Sequence, residues 1–165
     1  PHAFTAELSI LIEDSRLDLE LEIANTGDEA FEFTAALHTY LAVREVEESR
    51  IEGLHGFSYR DKTDANRIQR DSGDALVIEA ETDRVYHEVS RPLLLREYDR
   101  SLGINADGFP DVVVWNPWVE RSAAIADLPD DGFRRMLCIE AAAAHQPVRV
   151  QPGESWWGRQ TLVAL

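Results

Sequence analysis

The sequence predicts an all-β sandwich, and three observations carry that reading. Apolar and polar residues alternate at period two through most of the chain. Turn-forming clusters interrupt the alternation at short intervals, and only one short segment has helical character. Finally, 165 residues with 44% hydrophobic and 28% charged content suit one folded domain, 1–165, with a substantial core.

Taken in order, "FTAELSILIED" puts Phe4, Ala6, Leu8, Ile10 and Ile12 on one face. "RLDLELEIA" does the same with Leu17, Leu19, Leu21 and Ile23 against Asp18, Glu20 and Glu22. The "EDSR" link is turn-like, so residues 4–24 read as a hairpin with one wet face. After the turn "NTGDEA", the run "FEFTAALHTYLAV" reads as one strand, with Thr34, Ala36, His38 and Tyr40 sharing a face. Further strands are expected at "HGFSYR", "ALVIEA", "RVYHEV", "PLLLREY", "DVVVWN", "FRRMLCIEAA" and "ESWWGRQTLVAL", separated by "DSGD", "NADGFPD" and "QPGE". A short helix is expected at 117–126, where Asn116 caps it and Pro117 suits the first helical position. Many strands with one helix argue for a sandwich.

The charge excludes some functions. A formal net charge of −15 repels nucleic acid and anionic membrane surfaces, so neither is an expected partner. A lone Cys138 forms no internal disulfide, and no stretch approaches the length of a membrane helix. The opening "PHAFTAELSI" is no signal peptide, so a cytoplasmic protein is expected. Because it runs almost directly into a strand pattern, a processed chain or a piece of a longer one is expected.

Five histidines are present, yet no H-x-x-x-H or C-x-x-C spacing supports a zinc site. A G-x-S-x-G elbow and a G-x-x-x-x-G-K-[ST] loop are also absent, which disfavours hydrolase and phosphate-loop readings. General acid–base chemistry by histidine and carboxylates remains. Three positions stand out: His38 on an apolar strand, Glu140 in "MLCIEAAAA", and Asp83 in "ETDRVY" just before a strand. A lone histidine in such a strand is ordinarily a satisfied structural residue. A carboxylate there is harder to explain structurally, because desolvating it costs free energy unless it is paired. Asp83 by itself reads as a turn residue, and "VVVWNPW" reads either as core or as indole rings for stacking on a sugar.

Five segments, "FTAALHTYLAV", "IEGLHGFSYRDK", "ETDRVYHEV", "DVVVWNPWVERSAAIADLPDDGFRRMLCIEAA" and "VRVQPGESWWGRQTL", follow one another in an order that resembles the hexose-6-phosphate mutarotases. These are the glucose-6-phosphate 1-epimerases of the aldose 1-epimerase superfamily. The resemblance implies the galactose-mutarotase-like β-supersandwich, with this chain as its C-terminal portion, lacking the N-terminal strands. It implies His38 and Glu140 as the catalytic pair and Asp83 as a sugar-binding residue. No metal or organic cofactor is implied, and the partner is a small-molecule sugar phosphate. The phosphate-binding arginines of such proteins lie in the N-terminal part, so Arg84 and the Arg134–Arg135 pair are expected to be surface residues. Uncovered sheet edges are expected to favour self-association. The alternative is a non-catalytic carbohydrate-binding or sugar-sensing module on the same fold.

Overall fold

The expected strands form, but the register of the sheets decides what each one does. The computed structural model describes all of residues 1–165. In chain order the strands are β1 (Phe4–Glu13), β2 (Arg16–Asn25), β3 (Phe31–Leu37), β4 (Tyr40–Ala42), β5 (Arg50–Glu52), β6 (Ser58–Asp61) and β7 (Arg67–Arg70). They continue with β8 (Ala75–Val77), β9 (Thr82–Tyr86), β10 (Leu93–Arg96), β11 (Ser101–Asp107), β12 (Asp111–Asn116), β13 (Met136–Val150) and β14 (Ser155–Ala164). One antiparallel sheet runs β1-β2-β14-β11-β10-β5-β8, and the second runs β3-β13-β12-β9-β6-β7, with β4 also on β13. This is the two-sheet sandwich that the alternation predicts.

The sheets meet through one large cluster and two smaller ones. Val112, Val114, Leu137 and Ile139 of the second sheet pack with Leu93, Leu95, Ile104 and Leu162 of the first. Because side chains alternate along a strand, the residues between them point to the other face of the second sheet. Those residues are Val113 and Trp115 on β12, Cys138 and Glu140 on β13, and Asp83 and Val85 on β9. One face therefore builds the core and the other is free to carry chemistry.

Four expectations need correction. The hairpin forms with full register from Phe4↔Asn25 to Glu13↔Arg16, but every residue of β1 is exposed, so both of its faces are wet. The cause is position: β1 is the sheet edge, paired only with β2. The 31–43 run is not one strand but two, β3 and β4, interrupted at His38 and Thr39. The 117–126 helix shrinks to α1 (Trp118–Ala123), with Pro117 just ahead of it; the Asn116 side chain does accept a hydrogen bond from the Trp118 amide at 2.9 Å. Three strands lie outside the expected set. β5 is three residues long, β7 ("RIQR") has a single apolar residue at a sheet edge, and β11 carries Gly103 and Asn105, which disfavour strands in isolation. β11 is held instead by its ladders to β10 and β14. No helix is long and apolar enough to cross a membrane.

Candidate active site

The interruption at His38 is where the site begins. Leu37 pairs with Ala141 and Tyr40 with Cys138, so the register is the same on both sides of the gap and no residue is inserted. His38 therefore falls directly opposite Glu140. A local pinch replaces the ladder: the Thr39 amide donates to the Leu37 carbonyl at 2.8 Å. The Thr39 hydroxyl, pointing inward, donates to Gln160 Oε1 across the sandwich. Gln160, fully buried on β14, donates in turn to the Ile139 carbonyl at 2.8 Å. One amide side chain thus ties down the neighbour of His38 and the neighbour of Glu140 together. Nothing in the local pattern around Gln160 signals this role, because the two partners lie on the other sheet.

The result is an imidazole–carboxylate pair, His38 Nε2 to Glu140 Oε1 at 3.3 Å. Its two members differ sharply in environment. The His38 side chain is 51% exposed, whereas that of Glu140 is 6% exposed. So His38 is not a core histidine, as an unbroken apolar strand would make it; it stands at the surface over a buried acid. Burial first, and the neighbouring Asp83 charge second, push the Glu140 carboxyl up to about 7, against a smaller opposing pull from Lys62. At neutral pH both its protonated and ionised forms are populated.

The sheet lattice extends the site in two rows. One row runs His38–Glu140–Val113–Val85–Arg60 and the other Tyr40–Cys138–Trp115–Asp83, read from the pairings of β13, β12, β9 and β6. Tyr40 stacks on His38 at 4.9 Å between ring centres, and Trp115 meets both rings edge-on, at 5.8 and 6.1 Å. The floor is therefore aromatic at one end, acidic in the middle and basic at the far edge. Asp83 is inside β9 rather than before it, buried, and bound to Lys62 Nζ at 3.0 Å. That placement displaces the turn-residue reading. Lys62 and Tyr40 were not singled out from the sequence, since only the cross-strand register brings them beside Asp83 and Cys138.

The other basic candidates face away or are occupied. Arg84 points to the opposite side, over the Tyr59 ring at 4.6 Å and 3.6 Å from Asp61. Arg134 is paired with Glu45 and Glu47, and Arg135 reaches the Arg44 carbonyl. None of the three is free to meet an anion at the His38–Glu140 floor.

The site is thus an acid–base pair on the outer face of a two-sheet antiparallel sandwich, flanked by aromatic rings and a buried carboxylate. The aldose 1-epimerase family model matches residues 1–162, and the chain belongs to that family. It is 35% identical over 170 residues to a Cenchrus ciliaris protein provisionally named glucose-6-phosphate 1-epimerase, covering 100% of this chain and 52% of the relative. A similarly named Escherichia coli protein is 29% identical over 152 residues, covering 91% and 50%. The chain spans about half the length of the curated relatives it matches. Among solved structures, a Salmonella typhimurium protein provisionally described as a mutarotase superimposes with a TM-score of 0.90 at 25% identity, covering 99% of this chain and 54% of that one. A galactose mutarotase related enzyme from Lactobacillus acidophilus gives a TM-score of 0.77 at 13% identity, covering 100% and 62%, which is a likeness of fold.

Proposed function

We propose that this chain carries the acid–base machinery of a mutarotase that interconverts the α and β anomers of a hexose 6-phosphate. The observation that carries the reading is the 3.3 Å His38–Glu140 pair, with the buried carboxyl raised to about 7 beside the Tyr40 and Trp115 rings. Anomer exchange needs a base for the C1 hydroxyl proton and an acid for the ring oxygen. Both oxygens are bonded to C1, so the acid and the base must both reach that one carbon, which the adjacent side chains His38 and Glu140 can do. Glu140 takes the hydroxyl proton while protonated His38 gives one to the ring oxygen, and the C1–ring oxygen bond breaks to leave an open-chain aldehyde. Rotation about C1–C2 turns the other carbonyl face to the hydroxyl. Ring closure then runs with the roles exchanged, which a carboxyl near its pKa at working pH supports.

Asp83 binds a sugar hydroxyl in this scheme, with Lys62 orienting it at 3.0 Å. Tyr40 and Trp115 offer faces and edges for the pyranose ring. The substrate class comes from the named relatives, and the basic side chains Lys62 and Arg60 on the same face are compatible with an anionic sugar. The test is anomer exchange measured by NMR with glucose 6-phosphate and with free galactose. Exchange with the phosphate alone supports the proposal in full. Exchange with galactose alone overturns the substrate class, and sugar binding without exchange favours the carbohydrate-binding alternative.

A further inference from the structure

We propose that His38, Cys138 and Glu140 form a binding site for one thiophilic divalent cation of the Zn2+ type. The candidate imidazole, thiol and carboxylate donor atoms all lie within 4.8 Å of one another. The lattice explains why. Cys138 and Glu140 are two residues apart on β13 and so share a face, and the unchanged register sets His38 across from Glu140. No spacing motif shows this, because the histidine lies a hundred residues from the other two and on a different strand.

The donor set suits zinc chemistry. One nitrogen, one sulfur and one carboxylate oxygen are all accepted at a tetrahedral ion, and three protein ligands leave a fourth position for water. Donors around such an ion sit roughly 3–4 Å apart, so the site must contract slightly from its metal-free spacing. The member that can shift without disturbing the core is His38, whose side chain is exposed in the gap between β3 and β4. Cys138 is fully buried, beside Tyr40 and Trp115 in the register, and Tyr40 is itself exposed. Burial, and then the Glu140 charge, push the thiol strongly up, so without metal it is a neutral thiol. Coordination replaces the S–H bond by an S–metal bond, and the proton leaves to solvent. The net charge of −15 favours approach of a cation.

The ion is an inhibitor of this site, not a helper. It engages the nitrogen and the carboxylate that the acid–base reaction needs, a consequence that rests on the mutarotase reading, whereas the site itself does not.

The experiment is a Co2+ titration of the purified, reduced chain, followed in the near-ultraviolet and visible, with Zn2+ as competitor. One equivalent of Co2+ should produce a thiolate-to-metal charge-transfer band that Zn2+ removes. Cys138→Ser should lose the band. His38→Asn, at an exposed position that leaves the core intact, should weaken Zn2+ binding beyond the roughly 10–100-fold that changes outside the ligand set cause. Absence of the band at saturating Co2+, or an unchanged affinity in His38→Asn, overturns the site. In the activity arm, Zn2+ at the concentration that removes the Co2+ band should abolish anomer exchange in the unmodified chain; persistent exchange with the site filled overturns the inhibition. If the metal-free chain shows no exchange at all, the mutarotase reading falls while the absorption band still decides the site.

Discussion

β13 and β1 look alike as sequence and behave oppositely as structure. Both are rich in apolar residues, "MLCIEAAAA" in one and "FTAELSILIE" in the other. The first eight residues of β13 are all buried, while all ten of β1 are exposed, with Ile12 at 73%. β13 lies between β12 on one side and β3 and β4 on the other, with the first sheet beneath it. β1 has one lateral neighbour and an open edge. The difference teaches that alternation reports which faces could be buried, and the number of neighbours decides which are. It also explains where chemistry is placed. A carboxylate raised to about 7 requires a desolvated strand, which β13 supplies and β1 does not.

The largest effect should come from the acid on the buried strand. On the proposed mutarotase reading, Glu140→Gln in a complete, active form of the protein keeps size and hydrogen bonding but removes the base, so exchange should fall on the order of 10²–10⁴-fold at saturating sugar. His38→Asn should fall by a similar factor, and the double variant by less than the product of the two, because a pair that acts as a unit is lost only once. Asp83→Asn should instead raise KM more than it lowers kcat. Near-normal exchange in Glu140→Gln would mean that the buried acid is structural.

Packing gives the most direct contrast of the two strands. Ile139→Ala, on a fully buried residue, should destabilise the chain by about 2–5 kcal/mol in denaturant unfolding. Ile12→Ala on β1 should stay within about 0.5 kcal/mol. Equal losses at the two positions would show that β1 is covered in solution.

The pH dependence sharpens the same point. The folded Glu140 carboxyl is raised from 4.5 to about 7, so the folded state binds more protons than the unfolded one between those values. Its contribution therefore favours folding below pH 4.5 and is lost as pH rises through about 7. Glu140→Gln should remove that loss and raise the melting temperature at pH 8 by a few degrees, since about 1 kcal/mol moves it by roughly 2–4 °C at this size. A melting temperature at pH 8 that falls in Glu140→Gln would mean that the ionised pair with His38 stabilises more than burial costs.

The smallest expected effect is at the open edge. We propose that β1 makes the chain self-associate through its exposed Leu8, Ile10 and Ile12, weakly enough to depend on concentration. Sedimentation velocity should show a rising average mass with concentration, and Ile10→Lys should flatten that rise without altering the fold. A concentration-independent monomer would remove the proposal.

The amino-acid pattern by itself determined the sandwich class and most of the strands, because period-two alternation is a local signal, and it marked Glu140 as a carboxylate in an apolar run; roles for His38 and Asp83 were implied only by the family resemblance. It also suggested one strand through His38, and here local signal failed. The apolar run continues unbroken, while the pinch depends on Thr39 reaching Gln160, which is 121 residues away on the other sheet. Short or polar β5, β7 and β11 escaped for the same reason, since their partners and not their own residues make them strands. Only tertiary structure decided that His38 is exposed and Glu140 buried, that Lys62 meets Asp83, that Cys138 stands with the pair, and that β1 is bare. Each of these depends on cross-strand register and on neighbours distant in sequence, and burial and electrostatic coupling follow from neighbours in space.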